Sequence, residues 1–423
     1  MPDSNHHSQQ PSHIPQPALL SIIIPGILIA ATGVGAGDLA TASFAGSHLG
    51  TTVLWAVIIG AIFKLVLTEG LTRWQLVTGT TLLEGISQRV GPVFIWLFLP
   101  YLFLWSFFVG SALISACGAT LYAMFPVFDD PTQGKIVFGI GSSLIGLLMV
   151  LHGGFQLFEK AMMASIAVMF IVVLVTAGML WPGTEAVIQG LLVPRIPDAQ
   201  GKGIAWTIAL IGGVGGTLTI LCYGYWIKEK GRESVAHIRT CRIDLATGYL
   251  LTAVFGIAMV IIGSNLELNG KGAGLLIALA STLEAPLGET GRWLFLVGAL
   301  GAVFSSLLGV WQAVPYLFAD IFRLFINKNQ QEKTQVDTNA LPYRSYLFAI
   351  AIIPMLGLLM DFKQVQQFYA IIGAAFLPLL AIALLVMNNN YSLGKFRNKW
   401  LSQILLTITI LFFLGMAWQK WSS

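Results

Sequence analysis

Along most of this chain, windows of about 20 apolar residues alternate with short polar or Pro/Gly-rich turns. The pattern predicts about eleven membrane-spanning helices, near 19–48, 51–73, 93–124, 135–152, 157–181, 204–227, 243–264, 292–322, 344–360, 366–387 and 401–419. Two of these runs are interrupted by glycine. In the first, LLSIIIPGILIA runs without a charge into ATGVGAGDLATASFAGSHLG (Ala31 to Gly50), which sets Gly33, Gly35 and Gly37 ahead of Asp38 at mid-span. The second interruption is IGGVGGTLTILCYGYW (Ile211 to Trp226), about half of the membrane core further on.

Small residues also serve helix packing, so one glycine cluster alone says little. Two clusters at matched positions say more. Unwinding a helix at mid-bilayer frees backbone N–H and C=O groups, which is tolerable only where they line a cavity or hold something. Paired breaks in two five-helix halves are the sequence-level mark of a secondary transporter built from an inverted repeat. The carboxylate at the first break strengthens this reading, because an unpaired charge inside a span costs several kcal/mol and marks a functional position by default.

Composition agrees with the pattern. The 423 residues are 56% hydrophobic and 10% charged, with a mean hydropathy of +0.79, more apolar surface than a water-soluble core hides. The chain is therefore expected to be an all-α polytopic membrane protein with the lipid bilayer as its surroundings. The net charge of +4 is small and the basic residues are scattered, which argues against a nucleic-acid partner. Cys117, Cys222 and Cys241 lack metal or disulfide spacing and read as small apolar fillers.

Residues 1–18 are polar and rich in Pro, Ser, Gln and His, and are expected to form a disordered cytoplasmic tail. The expected division is then 19–181 for the first five-helix repeat, 182–387 for the second, and 388–423 for an eleventh helix and the C-terminus. With the N-terminus inside, most of the 23 basic residues, among them Arg73, Arg89, Arg232, Arg323 and Arg344, fall on the cytoplasmic side of a cell inner (plasma) membrane.

Candidate chemistry is sparse. Asp38 reads either as an anchor for a cation or hydrogen-bonding solute, or as a cap on the half-helix beginning near Leu39. Lys64, midway along the second span, has three roles open to it: neutralising Asp38, bonding freed carbonyls, or reaching out to the interface. Glu69 and Arg73, four apart, read as a helix-surface ion pair, and Glu159 and Asp244 as structural ion partners near span ends. His48 sits at the outer end of the first span, better placed for an entrance than for the site, and His152 looks interfacial. Tyr223, Tyr225 and Trp226 read as interface anchors. No nucleophile elbow, phosphate loop or HExxH is present, so neither an enzyme nor a resident cofactor is expected.

The stretches AGDLATASFAGSHLG, QLVTG (Gln75 to Gly79), GGFQLFEK (Gly153 to Lys160), GLLVPRIP (Gly190 to Pro197) and RIDLA (Arg242 to Ala246) occur in one order. Over nearly its whole length the chain resembles the Nramp family of proton-coupled divalent-metal transporters. The resemblance implies a LeuT-like 5+5 inverted repeat with broken helices 1 and 6 and a midplane substrate site. It places that site at Gly35, Ala36, Gly37 and Asp38 on the first break and at Gly215, Gly216, Thr217, Leu218 and Thr219 on the second, with Lys64 as a charge partner and Asp38 as the candidate metal ligand.

The matching positions also depart from the family. Where the family has Asp-Pro-Gly-Asn, this chain has Gly35, Ala36, Gly37 and Asp38, and where it has Met-Pro-His, Leu218, Thr219 and Ile220 stand here. The soft thioether that favours transition metals is gone. The third span, with Ala112 and Ser115 at the positions of acidic residues linked to proton movement, holds no Asp or Glu, so family-type proton coupling is expected to be lost. The first expectation is transport of a hard divalent cation such as Mg²⁺ or Mn²⁺ by alternating access. The alternatives are a small organic solute, an amino acid or amine, or a membrane sensor that transports nothing.

Overall fold

The computed structural model describes residue 35 and residues 37–152, 155–266, 274–326 and 337–422. The tail, the first half of the first span and Ala36 lie outside the described residues. Among those described the chain is all helical. After a π-helical turn, Gly37–Thr41, come α1 (Ala42–Leu49), α2 (Leu54–Thr78), α3 (Leu82–Val90), α4 (Pro92–Met124), α5 (Pro131–His152), α6 (Phe155–Met179) and α7 (Thr184–Leu192). They are followed by α8 (Gly203–Gly213), α9 (Thr219–Glu229), α10 (Ile238–Gly263), α11 (Leu275–Ile326), α12 (Leu341–Ile352), α13 (Phe362–Asn388) and α14 (Trp400–Ser422).

Eight of the described helical stretches are long and apolar enough to cross a membrane, or nine if the bent pair α6 and α7 is one span. The protein is thus a multi-pass membrane protein. Its outer surface carries large apolar side chains such as Leu97, Ile171, Leu250 and Leu411, as a lipid-facing surface requires.

Helix ends follow local chemistry. Gly79 ends α2 in the left-handed conformation (φ +71°). Two residues on, Thr81 and Glu84 close a reciprocal capping box that starts α3. Pro354 turns the end of α12 into the 3₁₀ segment Ile353–Leu359, and the two together form one apolar span, Leu341–Leu359, where a span over 344–360 was expected. In contrast, Leu275 to Gly291 was expected outside the spans but is helical, joined to the apolar run through a kink at Gly288 (φ +67°).

Inside the bundle α4 packs on α5, α11 and α13, and α10 packs on α1 and α2. The short helix α8 is held by α13, α1 and α2. It therefore sits inside the bundle, and residues 213–218 of the break that follows it are buried.

Three ionic networks tie helix ends together. Arg232 pairs with Asp244 at 3.0 Å, and Tyr223 donates to the same carboxylate at 2.9 Å. Tyr225 donates to Asp320 at 2.8 Å, and Arg323 bonds both Asp320 and Glu84. These two tyrosines are not interface anchors: their hydroxyls lie beside buried carboxylates, which need donors far from water. Nor is Arg73 a surface residue. It is buried and bonds Glu69, the Asn398 side chain and the Phe396 carbonyl, while Arg242 reaches Glu69 from α10 at 2.7 Å. Cys117, Cys222 and Cys241 are buried and free. The side chain of Glu159 lies outside the described residues.

Candidate functional site

Helix α8 ends because its successors leave helical conformations. Val214 is extended, and Gly215 and Gly216 take φ of +77° and +69°, left-handed values that residues with a Cβ adopt only with strain. Leu218 is buried in the apolar core, and Thr219 opens α9. The second glycine cluster is therefore a break in the chain, and its backbone groups need partners inside a dry bundle.

Those partners are the two charges of the first repeat. The ammonium of Lys64, fully buried midway along α2, donates to the Gly212 carbonyl at 2.9 Å and also to the Val214 carbonyl. Oδ2 of Asp38, on the π-helical turn, accepts the Gly215 N–H at 3.1 Å. Asp38 and Lys64 are also within electrostatic reach of one another. Of the three roles open to Lys64, reaching out to the interface is excluded, and the ammonium acts on the freed carbonyls. The Asp38 carboxylate bonds across the break instead of capping its own helix, whose N-cap position, Thr41, has no side-chain bond.

The π-helical turn also touches the second break through backbone, and the expected unwinding at Val34 and Ala36 lies outside the described residues. A Cβ added at Gly37 would overlap the Gly213 carbonyl, so only glycine lets the π-helical turn approach α8 this closely. Gly37→Ala is expected to push the breaks apart and sharply reduce substrate binding while leaving membrane insertion intact. Binding calorimetry alongside gel-filtration profiles of the purified variant checks this.

Other helices complete the walls. From α4, Trp105 donates its indole N–H to Thr217 at 3.1 Å. Gly35 faces Ser306 of α11. One face of α13 carries Gln366, Tyr369, Ala370 and Gly373, at helical spacings of three and four. Gln366 donates to the Ala112 carbonyl at 2.9 Å, Tyr369 is within electrostatic reach of Asp38, Ala370 lies against Gly212, and Gly373 against Thr217. Trp105, Gln366 and Tyr369 were missed by the sequence reading. The available signal was the polar tetrapeptide QQFY at the head of an apolar run.

Among the buried oxygens with no hydrogen-bond partner among the described residues are Asp38 Oδ1, Thr41 Oγ1, Ser115 Oγ and Gln366 Oε1. Each such group costs about 1–3 kcal/mol if left unpaired. Carboxylate, hydroxyl and amide oxygens are donors that hard cations accept, and also acceptors for an ammonium or hydroxyl of a solute. No group of three or more His, Cys, Asp or Glu placed to hold a metal ion occurs among the described residues. A metal here would rest on one carboxylate and neutral oxygens.

His48 lies away from this centre, exposed and stacked on Trp206 at 5.3 Å. His152 is exposed and bonds the Leu148 carbonyl through Nδ1.

Residues 26–420 match the family model described as natural resistance-associated macrophage protein-like, or Nramp. The chain belongs to the Nramp family. This Nramp protein is 24% identical over 414 residues to the divalent metal cation transporter MntH of Yersinia enterocolitica, covering 94% of this chain and 93% of the relative. It is also 24% identical to an uncharacterised protein of Pasteurella multocida over 415 residues, covering 93% and 92%. A crystal structure of a mutant of the Eremococcus coleocola manganese transporter shares the fold with a TM-score of 0.71, 18% identity and coverage of 95% and 87%. The fold also matches that of MhsT, crystallised with L-phenylalanine, with a TM-score of 0.64, 13% identity and coverage of 94% and 98%. This Nramp protein is thus a transporter-family membrane protein of LeuT-like fold, and not an enzyme.

Proposed function

We propose that this Nramp protein is a secondary-active-type transporter that carries a hard divalent cation, Mg²⁺ or Mn²⁺, by alternating access. The observation that carries the reading is the contact of Asp38 with the second break: one carboxylate oxygen holds the Gly215 N–H, and the other is buried without a partner among the described residues. Its Yersinia relative is a divalent metal cation transporter, and the Eremococcus protein a manganese transporter. In this reading Asp38 supplies the charge. Backbone carbonyls of Gly35 and Gly215 and the oxygens of Thr217 or Thr219 complete a shell that retains water.

The halves 19–181 and 182–387 rock about the breaks, with the N-terminus and most basic loops in the cytoplasm of a cell inner membrane. Because α4 between Pro92 and Met124 holds no acidic residue, transport runs without family-type proton coupling through that helix.

One observation favours a second reading, a small organic solute. The Lys64 ammonium already occupies two carbonyls of the second break, so a bare dication there meets a fixed positive charge. Uptake by the purified full-length protein in proteoliposomes, with Mg²⁺, Mn²⁺ and a panel of amino acids and amines, separates the two. Saturable metal uptake lost in Asp38→Ala supports the cation, uptake of an organic solute alone supports the second, and silence in every arm overturns both.

A further inference from the structure

We propose that a basic cluster at one end of the broken-helix site, His48 and Lys363 on the indole of Trp206 with Lys202 beside them, binds the carboxylate of an organic anion approaching Asp38. The proposal rests on the reading of the breaks as a substrate site and adds the chemical class that reaches it.

The cluster is built around one aromatic ring. Trp206 on α8 is 1% exposed, and its indole N–H has no acceptor among the described residues. The ring of His48, at the end of α1, stacks on it at 5.3 Å, and the Lys363 ammonium, in the first turn of α13, lies 5.8 Å from its centroid. Lys202, immediately before α8, is within electrostatic reach of both His48 and Lys363. None of the three basic side chains forms an ion pair among the described residues. Two carboxylates are close in sequence. Asp198 accepts the Lys202 backbone N–H, and Asp361 precedes α13 without capping it.

An aromatic face attracts cations, which holds the Lys363 ammonium over the ring. Lys202 and Lys363 repel one another, and an anion relieves that repulsion. A carboxylate has acceptors for two ammonium groups, with the added strength of charge assistance. A bare dication is repelled from the same spot, since clustered charge of one sign sets which solutes collect there.

The same helices join this cluster to the breaks. On α8, Trp206 leads to Gly212; on α13, Lys363 leads past Gln366 and Tyr369 to Ala370, which touches Gly212. At the helical rise, each path is roughly 10 Å. The far end offers the opposite charge, with the unpartnered Asp38 oxygen taking a positive centre. The two ends are met in turn, and a solute suited to both has a carboxylate for the first and a positive centre for the second. Two sources provide that chemistry: an amino acid, or a divalent ion held by an organic carboxylate.

The test follows tryptophan fluorescence of the full-length protein in detergent, titrated with L-alanine, citrate, citrate with Mg²⁺, and Mg²⁺ alone, with Trp206→Phe assigning the signal. Lys202 and Lys363 are exposed or half-buried, so the double substitution Lys202→Gln, Lys363→Gln is expected to leave the fold intact. The expected result is saturable binding of at least one carboxylate probe, weakened tenfold or more in the double variant and weakened by added salt, with no response to Mg²⁺ alone. A response to alanine assigns the amino acid as the source, and one to citrate only with Mg²⁺ assigns the chelate. No binding of any carboxylate, or equal binding by the double variant, overturns the proposal. Fluorescence binding that persists without vesicle uptake leaves the anion site standing and sinks the transport reading.

Discussion

Lys64→Met is expected to abolish substrate uptake and to be the most destabilising single substitution at the breaks. The change removes the donor to the Gly212 and Val214 carbonyls and takes away the cation within reach of Asp38. All of these groups are buried, so no water replaces the lost partner. Breaking a buried pair by removing one member costs about 3–5 kcal/mol, chiefly because the remaining charge is left uncompensated. The double variant Lys64→Met, Asp38→Asn is therefore expected to unfold at a higher temperature than Lys64→Met alone, since the second change deletes the stranded charge. Thermal unfolding of the detergent-solubilised variants measures both. Equal midpoints for wild type and Lys64→Met would show that the ammonium does not hold the break.

The second large effect concerns Asp38, where two substitutions separate hydrogen bonding from charge. An asparagine oxygen can still accept the Gly215 N–H, so Asp38→Asn is expected to keep the junction of the breaks, whereas Asp38→Ala loses it. Both lose the buried negative charge. Substrate affinity is expected to fall about a hundredfold in each, which corresponds to about 2.8 kcal/mol; the thermal midpoint is expected to fall in both, because the buried Lys64 ammonium is left uncompensated, and further for alanine, which also loses the Gly215 bond. In the wild-type protein, Mn²⁺ and Cd²⁺ are expected to bind no more tightly than Mg²⁺, because the site has oxygen ligands and no thioether or thiolate to favour softer ions. Titration calorimetry with the three ions is the check. Micromolar Cd²⁺ binding that disappears in Asp38→Ala would mean that a transition-metal site survives despite the altered ligands.

Much of the architecture was legible from hydrophobic runs because the bilayer leaves a span few choices: its backbone must be paired within the helix, over a length set by membrane thickness. The run at 243–264 corresponds to α10, and that at 366–387 to α13. The Gly212 to Thr219 break was legible for a related reason, since adjacent glycines permit left-handed backbone that other residues avoid. Failures came where an element's end depends on its neighbours. Residues 275–291 carry Pro286 and Gly288 amid polar positions, which reads as a loop, yet the chain continues as a kinked helix. Tyr223 and Tyr225 look like interface anchors in a linear sequence. Their partners, Asp244 and Asp320, come from α10 and α11, at separations of 21 and 95 residues that no local pattern reports.

The sequence by itself determined that this is a multi-spanning helical protein with a carboxylate in one glycine-rich segment and a lysine in the next span, because apolar length, glycine clusters and isolated charges are properties of the chain alone. Only the tertiary structure decided what those charges do. Lys64 holds the carbonyls of a break about 150 residues away, Asp38 holds its neighbouring N–H, and Gln366 and Tyr369 enter the site from α13. The physical reason is that freed backbone groups in a dry interior must find partners wherever packing supplies them. Partner choice is therefore a matter of distance in space, which the order of residues does not record.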